Sequence, residues 1–256
     1  MVTRLSPDRV GPARAAIAAF QAQTHADREL VVIVDASADP AGRASLAEAM
    51  QSAGPAPIRA VELNGAPPLG VLRNIAVQAA TGDYVCQWDD DDVYHSDRLA
   101  VQLAALRRGG HEALCLQEVL QFFPASRSLY WTNWRATEPG VHPGTLMMRR
   151  GLPVRYPETG PEARLGEDSA LVRQLRGRGG LGPLGGAPHL FTYVSHGANS
   201  WDHGHHRALA ESLSISRGLL KRHEPALRAS VAGLDLGAGL ITVCGANGPA
   251  FEIRGA

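Results

Sequence analysis

Four consecutive carboxylates, Asp89-Asp90-Asp91-Asp92, stand directly after the apolar stretch Tyr84-Val85-Cys86-Gln87-Trp88. Like charges a few ångströms apart repel, so either their pKa values rise or a cation binds. Oxygen-only ligands suit Mg²⁺ or Mn²⁺, and Mg²⁺ typically keeps waters and bridges substrate phosphates. The bland alternative is a solvated acidic loop leading into the next helix. The position at the end of a buried-type strand favours metal and diphosphate. A second unusual segment, His196-Gly197-Ala198-Asn199-Ser200-Trp201-Asp202-His203-Gly204-His205-His206, carries four histidines. His196 follows an apolar strand signal and could complete a metal site as a neutral imidazole, with His203, His205 and His206 as secondary candidates. The alternative is a polar loop lining a cleft without touching metal. Trp134 and Trp201 could stack on a sugar face or serve as core or lid aromatics.

These side chains need elements to hold them, and the first two-thirds of the chain alternates strand and helix signals. Residues 30–34, Leu-Val-Val-Ile-Val, have the pattern of a strand buried on both faces, and Asp35 ends it. Residues 58–63 and 84–88 are two further strands. Val10, Ile17 and Phe20 recur at helical spacing, and Leu46 and Met50 mark a short helix after Pro40. Leu72, Ile75, Ala76 and Ala79 form a helical stripe closed by Gly82. Ser96 is placed to cap a helix carrying Leu99, Leu103 and Leu106, stopped by Gly109-Gly110. This alternation predicts a mostly parallel α/β sheet flanked by helices. In such sheets ligands bind beyond the carboxyl ends of the strands, which puts Asp35 and residues 89–92 on the ligand edge. Further on, residues 113–123 and 128–134 read as a hairpin or smaller mixed sheet, 166–176 as a helix, and glycine-rich 177–186 as a loop. Residues 189–195 read as a strand and 207–222 as a helix. A short helix follows from Pro225, and then a terminal hairpin of 240–244 with 250–253.

The ordered motifs carry a family resemblance. Leu69-Gly70-Val71-Leu72-Arg73-Asn74-Ile75-Ala76, then Ala80-Thr81-Gly82-Asp83-Tyr84, then Trp88-Asp89-Asp90-Asp91-Asp92, then Asp97-Arg98-Leu99, resemble family 2 glycosyltransferases of the GT-A fold. Upstream, Ala22-Gln23-Thr24 and residues 29–39 resemble the same family's first strand–helix–strand unit. Downstream, Gly166-Glu167-Asp168 with Leu171 and Leu175 resembles its acidic catalytic motif. Pro143-Gly144-Thr145-Leu146-Met147-Met148 resembles the segment that shapes the donor and acceptor cleft, with His142 beside it. The resemblance implies a GT-A α/β fold with a Rossmann-like sheet. A catalytic domain over residues 1–206 and a C-terminal helical extension over 207–256 are expected. It also implies roles residue by residue. Asp35 and Thr3 meet the nucleoside, and Arg73 stands near the nucleotide, where it could hold the diphosphate or lie on a helix surface. Asp89 and Asp91 match the DxD motif, with Asp91 the direct metal ligand, while Asp90 and Asp92 support it or hold the loop through backbone hydrogen bonds. Asp168 matches the general base, with Glu167 orienting it or binding acceptor; alternatively both merely favour a helix N-terminus electrostatically. His196 matches the late histidine that completes the metal site in many such enzymes.

The reaction so implied is inverting transfer of a sugar from a nucleotide-diphosphate sugar, UDP-sugar favoured, to an acceptor hydroxyl, with Mn²⁺ or Mg²⁺ as cofactor. The acceptor is a glycan, a lipid-linked species or a small molecule. Val34 stands where the family often has another aspartate, which leaves Asp35 alone for base recognition. Two rival readings are a Mg²⁺-dependent nucleotidyltransferase or phosphohydrolase, and a non-catalytic nucleotide-sugar or glycan-binding module. No phosphate-cradling P-loop signature supports the first, and retention of both Asp91 and Asp168 argues against the second.

Composition bounds the rest. With 256 residues, 45% of them hydrophobic and 20% charged, the chain can build a sizeable core. Its 25 basic and 25 acidic residues cancel, so no global field favours nucleic acid. Cys86, Cys115 and Cys244 are odd in number and widely spaced, which predicts free thiols rather than disulfides or a zinc site. No run approaches the ~20 apolar residues of a membrane span. A cytoplasmic setting is expected, with a peripheral membrane position as the variant.

Overall fold

The computed structural model describes residues 1–3, 9–35, 40–52, 54, 56–63, 65, 67–197, 199 and 202–255, with only the backbone at Asp35 and Ser52. In chain order its elements are β1 (Val2–Thr3), α1 (Val10–Gln21), β2 (Leu30–Asp35), α2 (Pro40–Ser52), β3 (Ile58–Leu63), α3 (Leu69–Ala79), β4 (Tyr84–Cys86), β5 (Val93–Tyr94) and α4 (Arg98–Gly109). There follow β6 (Ala113–Leu116), β7 (Glu118–Phe123), β8 (Ser128–Asn133), β9 (Met147–Arg149), α5 (Glu167–Gly177), β10 (Leu181–Leu184), β11 (Phe191–Val194), α6 (His203–Leu213), α7 (Arg217–Val231), β12 (Gly239–Gly245) and β13 (Gly248–Gly255). They gather into two compact units, each discontinuous in sequence. The first comprises Met1–Asp91, Ser96–Cys115 and Pro143–Pro183; the second comprises Asp92–His95, Leu116–His142 and Leu184–Ala256.

In the first unit β1, β2 and β3 make a parallel sheet, with Val2 opposite Ile33 and Leu30 opposite Ile58. The run 30–34 is buried throughout, as its unbroken apolar pattern requires. Val2, Val31, Ile33 and Leu72 form the core here, and Leu69, Ile75, Ala76 and Ala79 lay the predicted stripe of α3 against it. The strand expected over 84–88 is shorter and lies elsewhere. β4 ends at Cys86 and pairs antiparallel with β9 in a second sheet ordered β10-β6-β9-β4. Trp88 leaves that ladder because its indole is a core anchor: Nε1 donates to the Ala16 carbonyl at 3.1 Å and the ring meets Phe20 edge-on. An isolated parallel bridge, Val2 to Asp89, joins β1 to the segment after β4. A cavity of about 500 Å³ lies in this unit, lined by Met1, Val31, Tyr84, Leu103, Met147 and Tyr156 among others.

Two expected caps are corrected. α3 ends at Ala80 in extended conformation, not at Gly82, whose N–H is captured by Glu29 Oε1 at 3.0 Å. Burial works against the Glu29 charge, yet bonds from Thr81, Arg59 and Gly82 hold its pKa at about 2. Asp97, not Ser96, is the N-cap residue of α4, and Gly110 at φ 64° closes that helix as expected. The glycine-rich stretch expected as a loop contains β10. There, a Cβ on Gly182 would stand 2.1 Å from the His111 ring, so this glycine serves close packing, while Gly179 at φ 76° and Gly186 at φ 75° take left-handed conformations on either side of the strand.

The second unit is a six-stranded sheet, β13-β12-β8-β7-β11-β5, so the mixed sheet is the larger one. β7 and β8 form the predicted hairpin, and β12 and β13 the terminal one. Alternate residues face opposite ways. Leu120, Phe122, Leu129, Trp131 and Val243 pack with Leu220, Leu227 and Val231 of α7, while Phe123, Tyr130 and Cys244 pack with Ala210 of α6. The helix expected over 207–222 is thus two helices broken at residues 214–216, each covering one face. α7 runs through Pro225 although the ring removes a backbone donor. No described helix is long and apolar enough to cross a membrane.

Gly70 is where fold and site meet. A Cβ there would lie 1.9 Å from the Pro157 carbonyl oxygen, a backbone atom that cannot swing aside. Gly70→Ala should therefore destabilise the protein by about 1–3 kcal/mol in urea denaturation, as overpacking does. Because α3 also carries Arg73, nucleotide binding should weaken in the folded fraction.

Candidate active site

The acidic run is not one cluster. Asp89, Asp90 and Asp91 belong to the first unit and Asp92 to the second, where its Oδ1 accepts the Val194 N–H at 3.0 Å. Asp92 is therefore a backbone-holding residue at the end of β11. The other three aspartates are managed by two arginines.

Arg73, buried on α3, donates from Nε to Glu167 Oε1 and from Nη1 to Asp89 Oδ1, both at 2.8 Å. Arg73 and Glu167 are 94 residues apart in the chain, so this one guanidinium joins the acidic run to the first turn of α5. Its face lies over the Tyr156 ring, 5.8 Å from the centroid. The Tyr156 hydroxyl donates to Gln87 Oε1 at 3.2 Å, and Gln87 Nε2 donates to Asp89 Oδ2 at 3.0 Å. Asn74, next along α3, clamps the Tyr156 backbone in both directions, accepting its N–H at 3.0 Å and donating to its carbonyl at 2.9 Å. Burial disfavours the Asp89 anion, but Arg73 and then Gln87 outweigh it, and its pKa falls.

Arg9, the N-cap residue of α1, makes no capping bond. Its Nη1 instead reaches Asp90 Oδ1 at 2.7 Å and Asp91 Oδ2 at 2.9 Å. Asp90 is nonetheless pushed up, first by burial and then by Asp91, with Arg9 and Thr3 acting the other way. Asp90 Oδ2 and Thr3 Oγ1 are both buried without a hydrogen bond of normal geometry, although the hydroxyl is close enough to act on the carboxyl. Thr3, expected to meet the nucleoside, is thus a buried neighbour of the acidic run.

Asp168 follows Glu167 in the first turn of α5, after Gly166 at φ 84° turns the chain into the helix. Burial first and Glu167 second raise its pKa to about 6, against the pull of Arg73 and of the Ser169 N–H, which Asp168 Oδ1 accepts at 2.6 Å. Asp89 also acts on it electrostatically. Asp168 as a residue is half-buried, whereas Glu167 is buried and ion-paired.

His196 belongs to the second unit. It is exposed, with its N–H on Asn199 Oδ1 at 2.9 Å and its Nε2 3.3 Å from Asn199 Nδ2. His203, His205 and His206 open α6, and His206 is buried with its Nε2 3.1 Å from the Tyr193 hydroxyl. Trp134 meets His142 edge-on at 4.7 Å and donates its indole N–H to Thr132, which makes it a packed aromatic. Asp35 ends β2 as expected, but its side chain, like Trp201, lies outside the described residues. The three cysteines are free thiols.

Among the described residues no three His, Cys, Asp or Glu side chains are grouped closely enough to hold a metal by themselves. The donor chemistry still fits a hard divalent cation held by one or two carboxylates and completed by substrate oxygens and water. Among the described residues, the carboxyl groups of Asp89, Asp90, Asp91 and Glu167 share the Arg9 and Arg73 guanidiniums. Arg9 was the residue missed in the sequence. The available signal was an arginine at a helix N-terminus, where the dipole disfavours a cation.

The model of the glycosyl transferase family 2 matches residues 11–153, more than half of the chain. No curated protein matches it. Among solved structures, residues 1–349 of S. aureus TarS in complex with UDP are similar at a TM-score of 0.59 and 14% identity, over 90% of this chain and 78% of that one. The same TarS segment with UDP-GlcNAc gives 0.56 at 16% identity, over 92% and 67%. The mannosyltransferase PcManGT from Pyrobaculum calidifontis, in complex with GDP-Man and Mn²⁺, gives 0.57 at 14% identity, over 89% and 63%. At these identities the structural likeness shows the GT-A fold, while the family model adds the activity class: the chain is a glycosyltransferase and belongs to glycosyl transferase family 2.

Proposed function

We propose that this glycosyltransferase moves a sugar from a nucleotide-diphosphate donor to an acceptor hydroxyl with inversion, and that Asp168 is its general base. The observation that carries the reading is the Arg73 bridge, which brings the acidic run and the start of α5 into one charged network. Inverting transfer needs charge compensation on the donor side and one carboxylate on the acceptor side, and the two ends of this bridge supply both. Glu167 is unsuited to be the base, because it is buried and its Oε1 is held by Arg73. Its role is to fix the first turn of α5, so that Asp168 is presented at a defined place. Asp168 is not tied up in an ion pair with Arg73 as Glu167 is, and its pKa is raised to about 6, which makes its anion a better proton acceptor than an ordinary aspartate while still ionised at neutral pH.

On the donor side Asp89 and Asp91 are the residues assigned to a divalent cation, Mn²⁺ or Mg²⁺. When bound, that ion supplies Lewis acidity and a template for the departing diphosphate. Asp89 is held in orientation by Arg73 and Gln87, so its lone pairs are presented at a fixed angle. Asp35, at the carboxyl end of β2, is assigned to the nucleoside, and a UDP-sugar is the favoured donor. The neighbours in complex with UDP, UDP-GlcNAc and GDP-Man support a nucleotide-sugar donor, and the Mn²⁺ complex supports the ion. A cytoplasmic location, or one at the membrane periphery, and a glycan, lipid-linked or small-molecule acceptor complete the reading.

Thermal shift with a panel of nucleoside diphosphates, with and without Mn²⁺, tests the donor side. UDP with Mn²⁺ should raise the melting temperature most, since a ligand that binds only the folded state stabilises it by mass action. Asp91→Ala should lose the Mn²⁺-dependent part. No shift with any nucleotide would sink the reading.

The base is tested by pH. Only ionised Asp168 can accept a proton, so kcat/KM should rise as pH passes through about 6 and level off above it. Asp168→Asn should cost about 10²–10⁴-fold in transfer and abolish that rise. Stability moves the opposite way. A carboxyl whose folded-state pKa lies above its usual 3.8 favours the folded state at low pH, and that contribution is lost as pH rises through about 6. Above pH 7 the Asn variant should therefore melt at or above the native protein while failing in turnover. A variant that keeps full transfer activity places the base elsewhere.

A further inference from the structure

Two arginines serve the same acidic network, and their surroundings differ. Arg73 is boxed in: its side chain is 10% exposed, it bonds two carboxylates through different nitrogens, and Tyr156 lies against its face. Arg9 is 26% exposed and reaches the network from the N-terminus of α1. Its contact is also of another kind. A guanidinium normally meets a carboxylate with two parallel bonds, but here the single atom Nη1 lies within hydrogen-bond distance of Asp90 Oδ1 and Asp91 Oδ2 together. One positive centre thus sits on oxygens of two adjacent carboxylates, one of them the proposed metal ligand Asp91. A guanidinium brings one charge to two anions, whereas a divalent ion brings two.

We propose that Arg9 is an exchangeable counter-ion: in the donor-free protein it holds Asp91, with Asp90 beside it, and it must release Asp91 when a divalent cation binds at Asp89 and Asp91. The inference rests on the proposed metal-dependent donor site. It adds that metal and Arg9 compete for the Asp91 carboxylate, so the protein suppresses cation binding until a ligand repays the loss of the Arg9 contact. The partly exposed position of Arg9 lets its side chain rotate to water, an exit the buried Arg73 lacks. Bare Mn²⁺ is then held weakly, and Mn²⁺ with a nucleoside diphosphate strongly, because the diphosphate adds oxygens to the ion and anionic charge for the displaced guanidinium.

The test is direct Mn²⁺ binding to the full chain, by electron paramagnetic resonance of the free ion, without nucleotide. Arg9→Met keeps the apolar stem and removes the competitor, so it should bind Mn²⁺ about tenfold or more tightly than the native protein. Removing any nearby positive charge would help a cation somewhat, and guanidinium rescue separates that effect from competition. Low, non-denaturing guanidinium added to Arg9→Ala should raise the apparent Kd for Mn²⁺ in proportion to its concentration, and should do nothing to the native protein. If Arg9→Met binds Mn²⁺ no better than native, or guanidinium leaves the Arg9→Ala curve unchanged, Arg9 is not a competitor and the inference falls, while the donor site stands on the native protein's binding of Mn²⁺ with UDP. If neither native nor variant protein binds Mn²⁺ with or without UDP, the metal reading itself fails and takes this inference with it.

Discussion

A buried guanidinium holds this first unit's chemistry in place. Arg73 takes Asp89 on one side and Glu167 on the other, and no apolar contact could substitute, because the buried Glu167 and the half-buried Asp89 would each lose their ion pair. Such a bridge adds little net stability, since desolvating three charges consumes most of their attraction; removing one partner, however, costs about 3–5 kcal/mol. Its value is that few alternative arrangements satisfy all three groups. Asp89 must stand after β4, Glu167 must begin α5, and α3 must lie between them.

The position of α3 is itself over-determined. Its apolar stripe packs on β2 through Leu72, its first turn approaches Pro157 so closely that only glycine fits at position 70, and Asn74 grips the Tyr156 backbone. Leu72, Arg73 and Asn74 are consecutive, and a helix sends them about 100° apart. One therefore reaches the core, the next the acidic network and the third the segment that carries Tyr156. Three consecutive residues thus couple packing to electrostatics, and Tyr156 closes the circuit through Gln87 to Asp89.

How much of this was legible follows from the range of each signal. β2 was readable because a strand buried on both faces writes an unbroken apolar run, and the stripe of α3 was readable because its period is local. β4 was overextended because Trp88 is apolar for a different reason, as an anchor on α1. The glycines of 177–186 read as a loop, since only the folded chain shows His111 pressed against Gly182. At the site, the acidic run and Glu167-Asp168 were visible as types in order. A backbone-holding role for Asp92 was open in the sequence, but that its partner is the Val194 N–H, that Arg73 is a bridge and that Arg9 sits on the run were not visible, because those partners lie 16 to 102 residues away in the chain.

The two arginines divide one electrostatic problem. A site for a diphosphate cannot be strongly anionic when the ligand arrives, nor can it be neutralised permanently, because the carboxylates must then be available to a metal. A fixed cation solves the first demand and defeats the second. In the proposed donor site the buried guanidinium orients Asp89 against Glu167, and the more exposed one covers Asp91, the carboxylate whose occupancy changes. The exposure difference between Arg73 and Arg9 is then a functional asymmetry: burial sets which charge is scaffold, and access to water sets which is exchangeable.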